Sequence, residues 1–101
     1  MDPIKQRVLE LIASDRIRRR KHFDEQAGAR GVILEEALQA LVSGALLRGE
    51  ADDDPRFGER FRFHGRDRSG RTLDVIVSID EDRSLLWLHT VFPTGRRGAR
   101  K

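Results

Sequence analysis

The sequence predicts an α+β domain in which two to three N-terminal helices pack on a three- to four-stranded antiparallel sheet. Three observations carry that expectation. Apolar residues recur at helical spacing as far as Val42, the period shortens to two from Ala45 onward, and short turn-rich links separate the alternating blocks. Helices first and strands second form two layers around one core.

The first helix opens at Asp2-Pro3, where a carboxylate can cap exposed amides and a proline fills the first turn without losing a hydrogen bond. Ile4, Val8, Leu11 and Ile12 then share one face. A second helix is expected over His22 to Ala29, with Gly31 just past its end, where a left-handed residue is favoured. Its packing residues are Phe23 and Ala27, and Gly28 either admits a close neighbour or weakens the helix. The third, about Leu34 to Val42, carries the stripe Leu34, Ala37, Leu38 and Leu41 and ends at Gly44. Ala45 to Gly49 reads as a short strand, followed by the acidic loop Asp52-Asp53-Asp54-Pro55. Phe61 and Phe63 alternate with Arg60, Arg62 and His64, the pattern of a strand with one apolar and one cationic face. Leu73, Val75, Val77 and Ile79 alternate with Thr72, Asp74, Ile76 and Ser78 in the next strand. Leu85 to Phe92 is apolar on both faces and is expected to be central. Asp67-Arg68-Ser69-Gly70 and Asp80-Glu81-Asp82-Arg83 are then the turns of an antiparallel meander.

A chain of 101 residues is one domain, here residues 1–95, with a basic tail at 96–101 that reads as disordered. With 38% apolar and 37% charged residues it can still fold, because the apolar residues cluster in periodic blocks. The absence of cysteine excludes a disulfide framework and a thiolate metal site. No apolar run reaches membrane-spanning length and no signal-peptide core is present, so a cytoplasmic protein without a membrane partner is expected. Arg96, Arg97, Arg100 and Lys101 outweigh the whole net charge of +3, so the global balance says nothing about a nucleic-acid partner. The local asymmetry does.

Arg18, Arg19, Arg20 and Lys21 run straight into His22. An imidazole beside cations and at a helix start is held toward its neutral, proton-accepting form. Arg20, Lys21, Arg60, Arg62 and His64 are therefore candidate phosphate or RNA contacts, with His22 as the base or acid. RNA cleavage by 2′-hydroxyl attack needs proton transfer and cations around the phosphorane charge, which histidine and arginine supply without a metal. The plainer alternatives are a solvated cationic strand and a helix-start histidine bonded to its neighbours. His89, in an apolar strand, reads as a satisfied core residue. The three histidines lack metal-ligand spacing, and no metal or cofactor is expected. Asp24-Glu25 and Glu35-Glu36 read as solvated charges. No phosphate-cradling glycine loop, nucleophile elbow or dinucleotide fingerprint is present, which argues against nucleotide-dependent and acyl-transfer enzymes.

The run Ile12-Ala13-Ser14-Asp15-Arg16-Ile17, then His22, Ala29-Arg30-Gly31-Val32, Glu35-Glu36-Ala37-Leu38 with Gly44, an acidic loop and Leu73-Asp74-Val75-Ile76-Val77 resembles a small bacterial family. That family is the domain of unknown function numbered 4258, and the likeness spans nearly the whole chain. The resemblance implies a layout similar to the RelE-like and MqsR-type ribonuclease toxins, a small zinc-finger antitoxin as partner, and His22 with Arg30 as the catalytic pair. Two positions depart from the family pattern: Gln26-Ala27 replaces an arginine and a methionine, and Asp74 replaces a histidine on the meander. The alternative is a non-catalytic RNA- or protein-binding module that uses the same basic surface.

Overall fold

The computed structural model of the chain describes residues 2–47 and 58–94. The acidic loop at 52–55 and the basic tail at 96–101 lie outside the described residues. Helix α1 (Pro3–Ala13) starts as expected, with Asp2 Oδ1 accepting the Ile4 N–H at 2.8 Å and Pro3 in the first turn. Asp15, at φ 58, turns the chain into β1 (Ile17–Arg19). Helix α2 (Lys21–Ala29) begins one residue earlier than expected and is followed by Gly31 at φ 68. Helix α3 (Leu34–Ser43) is steadied at its start by Glu36, whose Oε1 accepts the Ile33 N–H at 3.0 Å. Strands β2 (Ala45–Leu47), β3 (Arg60–Arg66), β4 (Thr72–Asp80) and β5 (Leu85–Pro93) complete the fold.

The α+β class holds, but the sheet is larger than expected and is not purely antiparallel. Five strands lie in the order β1-β5-β4-β3-β2, with β1 parallel to β5 and every other pair antiparallel. The unforeseen strand is β1. Three residues with a single apolar side chain cannot display alternation, and their conformation is set by pairing Ile17 with Leu86 and Arg19 with Leu88. Strand β5 is interior as expected, although β4 holds the middle of the sheet.

One face of the sheet makes the core. Phe63, Leu73, Val75, Val77, Leu86, Leu88 and Val91 are buried against Val8, Leu11, Phe23, Ala27, Ala37, Ala40 and Leu41 of the helices. Helix α3 comes closest to the sheet at Gly65. A Cβ there would run into the Ala40 carbonyl oxygen and would stand 2.8 Å from Ala40 C and Gly44 Cα, so backbone packs directly on backbone.

Two features shape the opposite face. First, β5 carries a bulge: Val77 pairs with Leu88 and Ile76 with Thr90, which leaves His89 as the extra residue. The alternation therefore inverts along β5. Leu86, Leu88 and Val91 face the helices, whereas Trp87, His89, Thr90 and Phe92 belong with the other side. Second, β1 covers the β5 edge only at residues 86–88, and α2 closes the remainder. Phe23 and Ala27 of α2 enter the core, while Gln26 and Arg30 bond Thr90 and the Val91 carbonyl. Helix α2 thus forms a wall beside the uncovered face.

The β3–β4 turn is built on Asp67. Its Oδ1 accepts the Ser69 hydroxyl at 2.7 Å, the Arg71 N–H at 2.9 Å and the Ser69 N–H at 3.0 Å. The Ser69 hydroxyl bond is the main reason its carboxyl titrates below the usual carboxylate range. Because the folded-state value is depressed, the stabilisation is complete above the unfolded value of 3.8 and is lost as pH falls through the folded value. Acid unfolding of Asp67→Asn is expected to show a shallower loss of stability below about pH 4 than the parent. Denaturant titrations at a series of acidic pH values measure this, and identical slopes would contradict it.

Candidate functional site

The face that the helices leave uncovered is organised in cross-strand rows. Arg18, Trp87, Ser78 and Arg60 form one row, Thr90, Ile76, Arg62 and Leu47 the next, and Phe92, Asp74, His64 and Ala45 the third. Arg60, Arg62 and His64 point the same way because they alternate with the core residues Phe61 and Phe63. Five arginines from β1, β3 and the α2 region accompany these rows, with Asp74 as the buried carboxylate among them.

Between α2 and the sheet lies a cavity of about 310 Å³ lined by Arg20, His22, Gln26, Arg60, His89 and Thr90. The helix-start imidazole and a meander guanidinium, 38 positions apart in sequence (22 and 60), therefore share one concavity. A larger groove, between α3 and the β3–β4 turn, is lined by Leu38, Val42 and Arg66 among others and is mostly apolar. It holds none of the histidines.

The hydrogen bonds of the cavity fix its chemistry. Arg30 Nη1 donates to Gln26 Oε1 at 3.3 Å, and the Thr90 hydroxyl donates to the same oxygen. An arginine can only donate, so the Gln26 amide nitrogen must face the other way, 2.6 Å from His22 Nε2. In that arrangement His22 Nε2 accepts from the Gln26 amide and stands at the cavity wall. The same reasoning applies to His89. Arg20 Nη1 approaches its Nδ1 at 3.3 Å, which leaves the proton on Nε2, 2.7 Å from Ser78 Oγ. Ser78 and His89 therefore do not make a nucleophile–base pair, since the nitrogen facing the hydroxyl already carries its proton.

Beyond the cavity, Asp74 ties the second and third rows together. Its Oδ2 accepts Arg62 Nε at 2.5 Å, and its Oδ1 faces His64 Nδ1 at 2.6 Å. Asp74 is 2% exposed, whereas the His64 side chain is 45% exposed. The imidazole of His64 stands directly opposite the Asp74 carboxylate, across from it on β3.

The residues singled out in the sequence are thus distributed unequally. Arg20, His22 and Arg60 line the cavity. Arg30 reaches it through Gln26, while Arg62 and His64 stand in the second and third rows, joined by Asp74. Lys21 is exposed and is not part of the lining. Sequence reasoning gave Gln26, Ser78 and Thr90 no role in the site and read His89 as a satisfied core residue. His89 is buried at 6% exposure, yet it forms part of the cavity wall. The missed signal was the spacing Leu86, Leu88, Val91, whose change from two to three marks the bulge. Among the described residues no group of three or more His, Cys, Asp or Glu is placed to hold a metal ion, and no helix is long and apolar enough to cross a membrane.

These elements define a small α+β domain in which the sheet face turned away from the helical layer and the flanking helix α2 enclose a cation-lined cavity. The chain belongs to the family described as Domain of unknown function (DUF4258), which matches residues 20–93. The match begins at the residue before α2, so it takes in the whole cavity and the meander and leaves out α1 and β1. No curated protein and no solved structure matches the chain.

Proposed function

We propose that this protein binds the phosphodiester backbone of RNA on its uncovered sheet face and cleaves it without a metal, as the toxin of a toxin–antitoxin pair. The observation that carries the reading is the accepting Nε2 of His22 in one cavity with the guanidinium groups of Arg20 and Arg60. In the reaction, His22 Nε2 exchanges the Gln26 amide for a ribose 2′-hydroxyl and takes its proton. The freed oxygen attacks phosphorus, the bond to the 5′-oxygen breaks, and that oxygen takes a proton from solvent. The products are a 2′,3′-cyclic phosphate and a 5′-hydroxyl. Arg20 and Arg60 offset the charge that develops on the phosphorane oxygens, and Arg30 holds Gln26, and through it the imidazole, in place. A small antitoxin protein as partner would cover this face.

A second reading, a non-catalytic RNA-binding module, is favoured by one observation: His89 is held at both ring nitrogens and offers no second proton-transfer group. The two readings separate in one experiment. An end-labelled RNA is incubated with the protein in excess chelator, beside a copy carrying 2′-deoxyribose throughout. Cleavage of the RNA alone, with cyclic-phosphate ends, is the expected result. Intact RNA that is nevertheless retarded on a gel in a salt-sensitive way assigns the protein to the binding class, and RNA neither cut nor retarded defeats both.

A further inference from the structure

We propose that Phe92, flanked by Arg30 and Arg62, is a nucleobase subsite next to the cavity, so that the RNA bound is single-stranded with one unstacked base on this platform. The inference rests on the phosphate-binding reading above and goes beyond it by naming the form of the substrate. Phe92 is the half-buried aromatic of the third row, and the Arg62 and Arg30 guanidinium carbons lie 5.0 and 5.8 Å from its ring centroid.

Both cations are held before any ligand arrives. Arg62 is bound through Nε to the buried Asp74, and Arg30 donates to the Val91 carbonyl at 2.9 Å. Flat guanidinium groups and an aromatic ring are the surfaces on which unpaired bases stack, with little dependence on sequence. Fixing them in advance lowers the entropy lost on binding.

Spacing supports the same conclusion. Thr90 lines the cavity and Phe92 lies two residues further along the same strand face, about 7 Å away at the rise of an extended chain. One ribose bridges such an interval between a phosphate in the cavity and its base on Phe92. His64 occupies the same cross-strand row, exposed and oriented by Asp74, where it can meet the polar edge of a stacked base. A base still paired in a duplex cannot lie flat on this platform, because its faces are covered by its neighbours.

The test compares two labelled 2′-O-methyl strands of equal length and charge, which cannot be cleaved by 2′-hydroxyl attack, an oligouridylate and an abasic ribose-phosphate strand, by fluorescence anisotropy at fixed salt. Wild-type protein is expected to bind the oligouridylate more tightly. Phe92→Leu should weaken that binding about tenfold and leave the abasic affinity unchanged, while Phe92→Trp retains the preference and thermal melting shows both variants folded. Equal affinity of the wild type for the two strands, or an equal loss for both in Phe92→Leu, overturns the base subsite and leaves phosphate binding intact. Failure of the wild type to bind either strand overturns both.

Discussion

Gly65→Ala is expected to be the most destabilising single-methyl change in the molecule. The added carbon would meet the Ala40 carbonyl and the Gly44 Cα, all of them backbone atoms, so no side-chain rotation relieves the clash. Helix α3 would have to lift from β3, and with it Ala37, Ala40 and Leu41, which are fully buried against the sheet. Overpacking of this kind costs about 3 kcal/mol, a large share of the ~5–15 kcal/mol that stabilises a typical domain. For a chain of this size the melting temperature should fall by roughly 10–20 °C. Gly28→Ala is the internal control. A Cβ at Gly28, inside α2, meets nothing within 4 Å, and the helix should gain about 0.5–1 kcal/mol. Thermal unfolding of the two variants side by side checks the pair, and a Gly65→Ala protein that melts with the parent would refute the close approach of α3 to β3.

The second large effect is on chemistry. His22→Ala should lower RNA cleavage by about 10²–10⁴-fold, the range for loss of a positioned proton-transfer group. Stability should change by less than about 0.5 kcal/mol, because His22 is exposed on α2 and alanine is the better helix former. RNA retention on a gel should persist, since Arg20 and Arg60 remain. Cleavage at an undiminished rate in the folded variant would remove His22 from the mechanism and transfer the question to another group. Loss of retention together with cleavage would make the imidazole a binding contact.

Much of this arrangement was readable from residues alone, and the parts that were not have physical reasons. Asp2-Pro3 and the Leu34, Ala37, Leu41 stripe announced α1 and α3 because capping and helical period are local properties. The alternation through Phe61 to His64 and Leu73 to Ile79 identified the two faces of the meander for the same reason. Strand β1 was hidden because Ile-Arg-Arg becomes a strand only through a partner about 70 residues away. The bulge at His89 was hidden as well: an extra residue inverts inward and outward for everything after it, so Thr90 and Phe92 had no assigned side, although His89 itself is buried and bonded at both ring nitrogens as expected. Gln26 and Asp74 drew notice only as departures from a family pattern. Their roles, turning the His22 ring and pinning Arg62, depend on hydrogen bonds that no spacing rule encodes. Gly65 looked like an ordinary strand residue, since nothing in the sequence states that a helix backbone lies against it.

Because β1 pairs with β5, and because the cavity takes Arg20 and His22 from one end of the fold and His89 and Thr90 from the other, the order of synthesis matters. A ribosome that has translated as far as Asp80 has made the His22 imidazole and all five arginines of this face but not the strand against which α2 rests. Until the final hairpin emerges, Phe23 and Ala27 have lost much of their seat and His22 has no Thr90 beside its neighbour Gln26. Under the proposed ribonuclease reading, the nascent chain is inert toward the message that encodes it, because the cavity is complete only when the last strand docks.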